Sequence, residues 1–237
     1  GQVSEVGIVG MSYGGGQALI LGQMAAAGRL PFKVAAIQAY SPPIDMQRTA
    51  ELLDQWYNSN RWNYTLAKLE REVGRHKPVC DTCCVPFDDP KMEAAVSVSF
   101  EMSLTPVVVH NDDEYDLELL PHGNEFDDKD VRKDYAATWG YVKFAYDMAL
   151  PYWQARLGQG AVDQLIEQTR LPVLLEKQPP YTEVILAEDD PFDTPEDMAA
   201  LKASANVQVT LVPHGGHLGY VSDNWTREKL LSLFDRK

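Results

Sequence analysis

The chain lacks any run of about 18 apolar residues, the length a membrane-crossing helix needs, so no such helix is expected. It is poor in positive charge: 21 Lys and Arg stand against 35 Asp and Glu, a net charge of −14. A field of that sign repels phosphate backbones, which excludes nucleic acid as an expected partner and disfavours strongly anionic substrates. Cysteine is scarce, and Cys80, Cys83 and Cys84 fall together. Cys80-x-x-Cys83 with His76 ahead of it has metal-like spacing. A fourth ligand is wanting, however, and adjacent cysteines rarely share one tetrahedral site, so free thiols are expected ahead of a disulfide, with no metal and no cofactor. Internal repeats are absent, and Gly1–Ser4 shows no basic region of a signal peptide. What is present, 45% hydrophobic and 24% charged residues, is the composition of a globular protein long enough for a full core.

Val3–Gly10 is a β-branched apolar run too short for a helix, and it reads as a buried strand of a parallel sheet. Gly14-Gly15-Gly16 leads into a helix over Gln17–Leu30, and Lys33–Tyr40 is strand-like again, which makes a βαβ unit. From 47 to 171 the pattern changes to aromatic-rich helices: Arg48–Tyr57, Tyr64–Val73, Lys91–Ser103 and Lys133–Leu157. The α/β rhythm then returns with strand Glu183–Ala187, a helix opened by Pro195, strand Val207–Val212 and a closing helix Trp225–Phe234. The expected architecture is an α/β core, 1–46 and 172–237, interrupted by a helical cap, 47–171.

Gly10-Met11-Ser12-Tyr13-Gly14 is G-x-S-x-G set between a strand and a helix. Such a turn strains the serine backbone and lifts its oxygen clear at the C-terminal edge of the sheet, with small residues, Gly10 and Gly14, two before and two after. The N-terminus of the next helix then points at that oxygen, and the Tyr13 N–H is the natural oxyanion donor. A phosphate-binding loop is disfavoured, because no Lys opens the helix and no G-x-G-x-x-G is present. A serine nucleophile needs a base, and the base an orienting carboxylate. Glu183–Ala187 delivers Asp189 and Asp190, and Val207–Val212 delivers His214 and His217, in the order Ser, Asp, His and at one edge of the sheet. His217 is favoured over His214 because the glycines before it give it reach. Asp190 is favoured over Asp189 because Pro191 biases it toward an extended backbone. Asp189 and His214 stand as alternates.

Gly10-Met11-Ser12-Tyr13-Gly14-Gly15, Tyr40-Ser41-Pro42-Pro43-Ile44-Asp45, Ala187-Glu188-Asp189-Asp190-Pro191-Phe192 and Gly215-Gly216-His217-Leu218-Gly219-Tyr220 resemble the YheT-like branch of the α/β-hydrolases. The resemblance covers about Val3–Leu52 and Glu183–Phe234. It implies an α/β-hydrolase sheet and hydrolysis of esters, often of acyl lipids, by the serine, the second aspartate and the glycine-flanked histidine. It also implies several strands ahead of the serine-bearing one. Val3–Val9 is therefore expected to pair on one side with a segment outside this sequence, a missing N-terminal portion or a second chain.

The leading expectation is a serine hydrolase of esters with hydrophobic or amphipathic acyl groups. An acyltransferase, an amidase or a peptidase would use the same parts, and a non-catalytic binding protein on the same scaffold is the rival of another class. In the insertion, Trp56, Tyr57, Trp62, Tyr64, Trp139, Tyr141, Phe144, Tyr146, Tyr152 and Trp153 are expected mainly as cap core, a few reaching an acyl pocket. The acidic stretch Asp112, Asp113, Glu114, Asp116 and Glu118, flanked by His110 and His122, is expected as a solvated loop face rather than a cation site.

Overall fold

A computed structural model describes residues 5–60, 90–115, 117, 120–121, 128–168, 170–221 and 224–233. Two compact units emerge among the described residues, one within 5–46 and 165–233, the other within 47–60 and 90–164. Within the first, β1 (Glu5–Met11), α1 (Tyr13–Ala26) and β2 (Lys33–Tyr40) are followed later in the chain by α8 (Leu171–Glu176), β3 (Thr182–Ala187), α9 (Pro195–Ala203), β4 (Gln208–Val212) and α10 (Asn224–Ser232). The strands form a parallel sheet in the order β1-β2-β3-β4, so this is an α/β fold.

Parallel strands run the same way, so their C-terminal ends share one edge. Ser12, Ser41, Asp189 and Asp190, and the loop holding His214 and His217 all follow directly on those ends. All six residues of β3 are buried, as expected of a parallel strand covered on both faces. Val184 and Leu186 pack with Leu19, Leu174, Leu175, Met198 and Leu201 on one face. On the other face Ile185 and Ala187 pack with Tyr40 and Tyr220. Among the described residues β1 pairs with β2 alone, and Val9 and Met11 stay exposed.

Several boundaries differ from the sequence reading. Helix α1 begins at Tyr13, not Gln17, because the three glycines enter it: the N–H groups of Gly15 and Gly16 donate to the Ser12 carbonyl at 2.7 and 3.3 Å. It ends at Ala26, and Gly28 beyond it takes φ 68°. At the start of α9 the Thr194 hydroxyl accepts the Asp197 N–H, the Asp197 carboxylate accepts the Thr194 N–H, and Pro195 occupies the first turn.

The second unit holds α2 (Met46–Asn60) with its first residue in the other unit, α3 (Pro90–Tyr115), α4 (Lys129–Ala136), α5 (Tyr141–Phe144), a π-turn (Ala145–Ala149), α6 (Leu150–Leu157) and most of α7 (Gln159–Gln168). The helix expected over Lys133–Leu157 is broken. At Gly140 a Cβ would meet the Asp54 carboxylate, and that carboxylate accepts the N–H groups of Tyr141 and Val142 at 2.7 and 3.1 Å, capping a new helix start. Pro151 cannot donate back along the chain, and the wide turn lies just ahead of it. Trp139 is buried with Leu104, Val108, Leu120 and Ala136, so it is core here. The helix expected over Lys91–Ser103 runs on to Tyr115, so Asp112–Glu114 are helical rather than a loop. Asp112 is buried and bonded to Arg132 at 2.6 Å, and Asp113 binds the same guanidinium. His76, the cysteines, Trp62, Tyr64, Asp116, Glu118 and His122 lie outside the described residues. No helix of the described residues is long and apolar enough to cross a membrane.

Candidate active site

Ser12 joins β1 to α1 with φ 52° and ψ −127°, left-handed backbone that a residue with a Cβ rarely adopts. Its N–H donates to the Tyr40 carbonyl at the end of β2, 2.8 Å away, while its own carbonyl opens the helix. The turn is as tight as the glycine spacing suggests, but its two glycines do different things. A Cβ on Gly10 would lie 2.5 Å from the Gly14 carbonyl carbon and 2.8 Å from the Gly15 nitrogen, and closer still to the Gly14 oxygen. A Cβ on Gly14 would meet nothing within 4 Å. The expectation that both must be small is corrected: Gly10 makes room for the Gly14 carbonyl, and Gly14 itself faces open space.

The Ser12 Oγ lies 2.7 Å from His217 Nε2. On the far side of the ring, Nδ1 lies 3.1 and 3.3 Å from the two oxygens of Asp190. A carboxylate only accepts, so Nδ1 carries the proton toward Asp190 and Nε2 is left to accept from the serine hydroxyl. The His217 and Asp190 side chains are 6% and 1% exposed, which shields the pair from water. Asp190 also accepts the Phe192 N–H at 3.1 Å, and the Phe192 ring meets the imidazole edge-on, centroids 4.6 Å apart. In the sequence Phe192 stands only as the last residue of the Ala187–Phe192 motif, with no role assigned to it.

The alternates lie alongside. Asp189 Oδ1 accepts the Gly216 N–H at 2.9 Å, pinning the loop one residue before His217. Its other oxygen is 3.8 Å from Nδ1 of His214, whose side chain is half exposed. That loop is held by Gly215 and Gly216 at φ 140° and 49°, and a Cβ on Gly219 would run into the Gly215 carbonyl. Tyr13 is the first residue of α1, where backbone N–H groups have no partner inside the helix, and its side chain is exposed.

Behind the site runs a buried polar line that was not read from the sequence. Glu183, inside a strand otherwise apolar but for Thr182, is bonded by Lys229 Nζ at 2.7 Å, Thr210 Oγ1 at 2.6 Å and Gln38 Nε2 at 3.2 Å. Burial alone would raise its pKa, but the hydrogen bonds from Lys229, Thr210 and Gln38, with the charge of Lys229, hold it below the usual carboxylate range. Tyr40 donates to Gln38 at 3.1 Å, and burial with the Glu183 charge pushes its phenol up to about 12. Among the described residues no cluster of three or more His, Cys, Asp or Glu is arranged to hold a metal.

No protein-family model and no curated protein matches the chain. Among solved structures it is similar to MGS-M2, an alpha/beta hydrolase enzyme from a Medee basin deep-sea metagenome library, at 16% identity and a TM-score of 0.42 over 99% of this chain and 66% of that one. It is similar also to an acetylester hydrolase from Corynebacterium glutamicum, at 14% identity and a TM-score of 0.41 over 99% of this chain and 62% of that one. The chain thus spans about two thirds of the length of each.

Proposed function

We propose that this chain carries the catalytic groups of a serine hydrolase acting on carboxylic esters with hydrophobic or amphipathic acyl groups. The observation that supports this reading is the unbroken line of hydrogen bonds from Ser12 Oγ through His217 to Asp190, with the serine in left-handed backbone at a helix N-terminus. In this reading Nε2 of His217 takes the serine proton as Oγ attacks the ester carbonyl, and a tetrahedral intermediate forms. Asp190 holds the imidazole tautomer and stabilises the imidazolium. The Tyr13 N–H donates to the developing oxyanion. Collapse expels the alcohol, protonated by His217, and leaves an acyl-serine. Water activated by the same base then releases the acid.

An acyltransferase would run the same first half and hand the acyl group to another acceptor. A binding protein without chemistry would gain nothing from a strained serine aimed at an imidazole. As part of the same proposal, the helical segment 47–171 selects the acyl group, and its exposed aromatics Tyr146 and Trp153 are the residues to probe.

The test is steady-state turnover of p-nitrophenyl esters of increasing acyl length by the intact protein, with hydroxylamine added to trap an acyl-enzyme. The reading expects ester turnover with an acyl-length optimum that moves in Tyr146→Ala or Trp153→Ala. Absence of turnover across the panel would overturn it.

A further inference from the structure

Among the described residues three that are not glycine have φ in the left-handed region: Ser12 at 52°, Ser41 at 40° and Leu218 at 70°. All three sit at the same sheet edge, Ser12 after β1, Ser41 after β2 and Leu218 directly after His217. Each such conformation is strained and survives only where its surroundings over-determine it. The serine-hydrolase reading explains the strain at Ser12. It leaves the strain at Ser41 without a purpose.

The peptide between Tyr40 and Ser41 joins three strands. Its carbonyl accepts the Ser12 N–H at 2.8 Å, and its N–H donates to the Ile185 carbonyl of β3 at 2.7 Å. That same carbonyl accepts the Tyr220 hydroxyl at 2.9 Å. The Tyr220 oxygen lies 3.0 Å from Ser41 Oγ. A phenol has one proton, and here it is given to Ile185, so the Ser41 hydroxyl donates to the phenol oxygen. Tyr220 is buried, three residues past His217, and its own carbonyl accepts the Thr226 hydroxyl at 2.8 Å. One side chain therefore ties the histidine loop to the backbone that holds Ser12. With φ at 40°, the Ser41 N–H reaches the Ile185 carbonyl while its hydroxyl reaches Tyr220.

We infer that Tyr220 and Ser41 form a positioning pair that sets the distance between His217 and Ser12. The pair touches no reacting atom; it acts through the loop and through the peptide behind the nucleophile. Burial, with the Asp190 charge in the same direction, pushes the Tyr220 phenol upward, so it remains a neutral donor throughout the ordinary pH range. The inference rests on the serine-hydrolase reading for its kinetic consequence but not for its geometric one.

The test uses Tyr220→Phe, which keeps the ring, and Ser41→Gly, which accepts a φ of 40° without a Cβ penalty. In the intact protein each is expected to lower kcat on a short-chain ester by roughly 10- to 100-fold with KM little changed, the cost of about 1 Å of misplacement. Ser41→Gly is expected to do so without loss of melting temperature, since the strain it removes offsets the bond it loses. The double variant should be no slower than the worse single one, because the two groups act as a unit. A crystal structure of Tyr220→Phe should show His217 Nε2 drawn out of hydrogen-bond reach of Ser12 Oγ. A merely structural pair would lower the melting temperature while kcat and the 2.7 Å contact persist, and that result overturns the inference. Wild-type protein and Ser12→Ala run alongside. Wild-type protein without turnover would fail the hydrolase reading, and the crystal structure would still decide the pair.

Discussion

Replacing Gly10 by alanine tests the tightest approach in the site. The added methyl would sit 2.5 Å from the Gly14 carbonyl carbon, where nonbonded carbons rest at about 3.5 Å or more. Strand and helix must separate by about 1 Å to admit it. Both sides of the clash are backbone, so no side-chain rotation relieves it. Overpacking of this kind costs roughly 1–3 kcal/mol. The movement also carries Ser12, which lies between the two glycines, and about 1 Å at a reacting atom costs on the order of 10²-fold in turnover. Gly14→Ala is the control: its methyl meets nothing within 4 Å, and alanine is favoured over glycine inside a helix by up to about 1 kcal/mol. Urea unfolding of both variants, with ester turnover measured on each, gives the answer. Gly10→Ala should lose stability and nearly all activity, while Gly14→Ala keeps or gains stability. Equal stability of the two variants would refute the reasoning about the turn.

His217→Ala should be as damaging as Ser12→Ala, about 10⁴-fold or more in kcat, whereas His214→Ala, half exposed and 3.8 Å from Asp189, should cost far less. Asp190→Asn should cost on the order of 10⁴-fold through the wrong imidazole tautomer. Asp189→Asn keeps an acceptor for the Gly216 N–H and should be mild, and the reverse ranking of these two in steady-state kinetics would reassign the carboxylate. Lys229→Met strands the buried Glu183 carboxylate and should cost roughly 3 kcal/mol in urea unfolding, the low end for such a loss because Lys229 is 26% exposed. Glu183 is held below its unfolded value, so its contribution is full above about pH 4.3 and fades as pH falls through the lower folded value. The gap in stability between wild type and Glu183→Gln should therefore close on acidification below pH ~4; a gap independent of pH would contradict the ion-pair assignment.

What could be read from the sequence was local or set by chain order. The G-x-S-x-G turn, the strand before it and the helix after it are encoded within a few residues, and one parallel sheet brings the ends of β1, β3 and β4 to one edge. Hence Ser12, Asp190 and His217, distant in sequence, could be named together. Pro191 separated Asp190 from Asp189, because it constrains the backbone of the residue before it. The start of α1 was misjudged because glycines oppose helix in isolation, while here their N–H groups are committed to the Ser12 carbonyl. The break at Gly140 was hidden because its cause, the Asp54 carboxylate, comes from a helix far back in the chain. Glu183, Ser41 and Tyr220 were illegible for the same reason. A carboxylate inside a strand, or left-handed backbone at a serine, is tolerated only through partners that tertiary structure supplies.

The most direct measurement is the mass of the intact protein and its peptides after exposure to a fluorophosphonate. The account predicts one phosphonyl group, carried on the peptide containing Ser12, with labelling abolished in Ser12→Ala and strongly slowed in His217→Ala. A folded wild-type protein that takes no label, or a label that persists in Ser12→Ala, would contradict it.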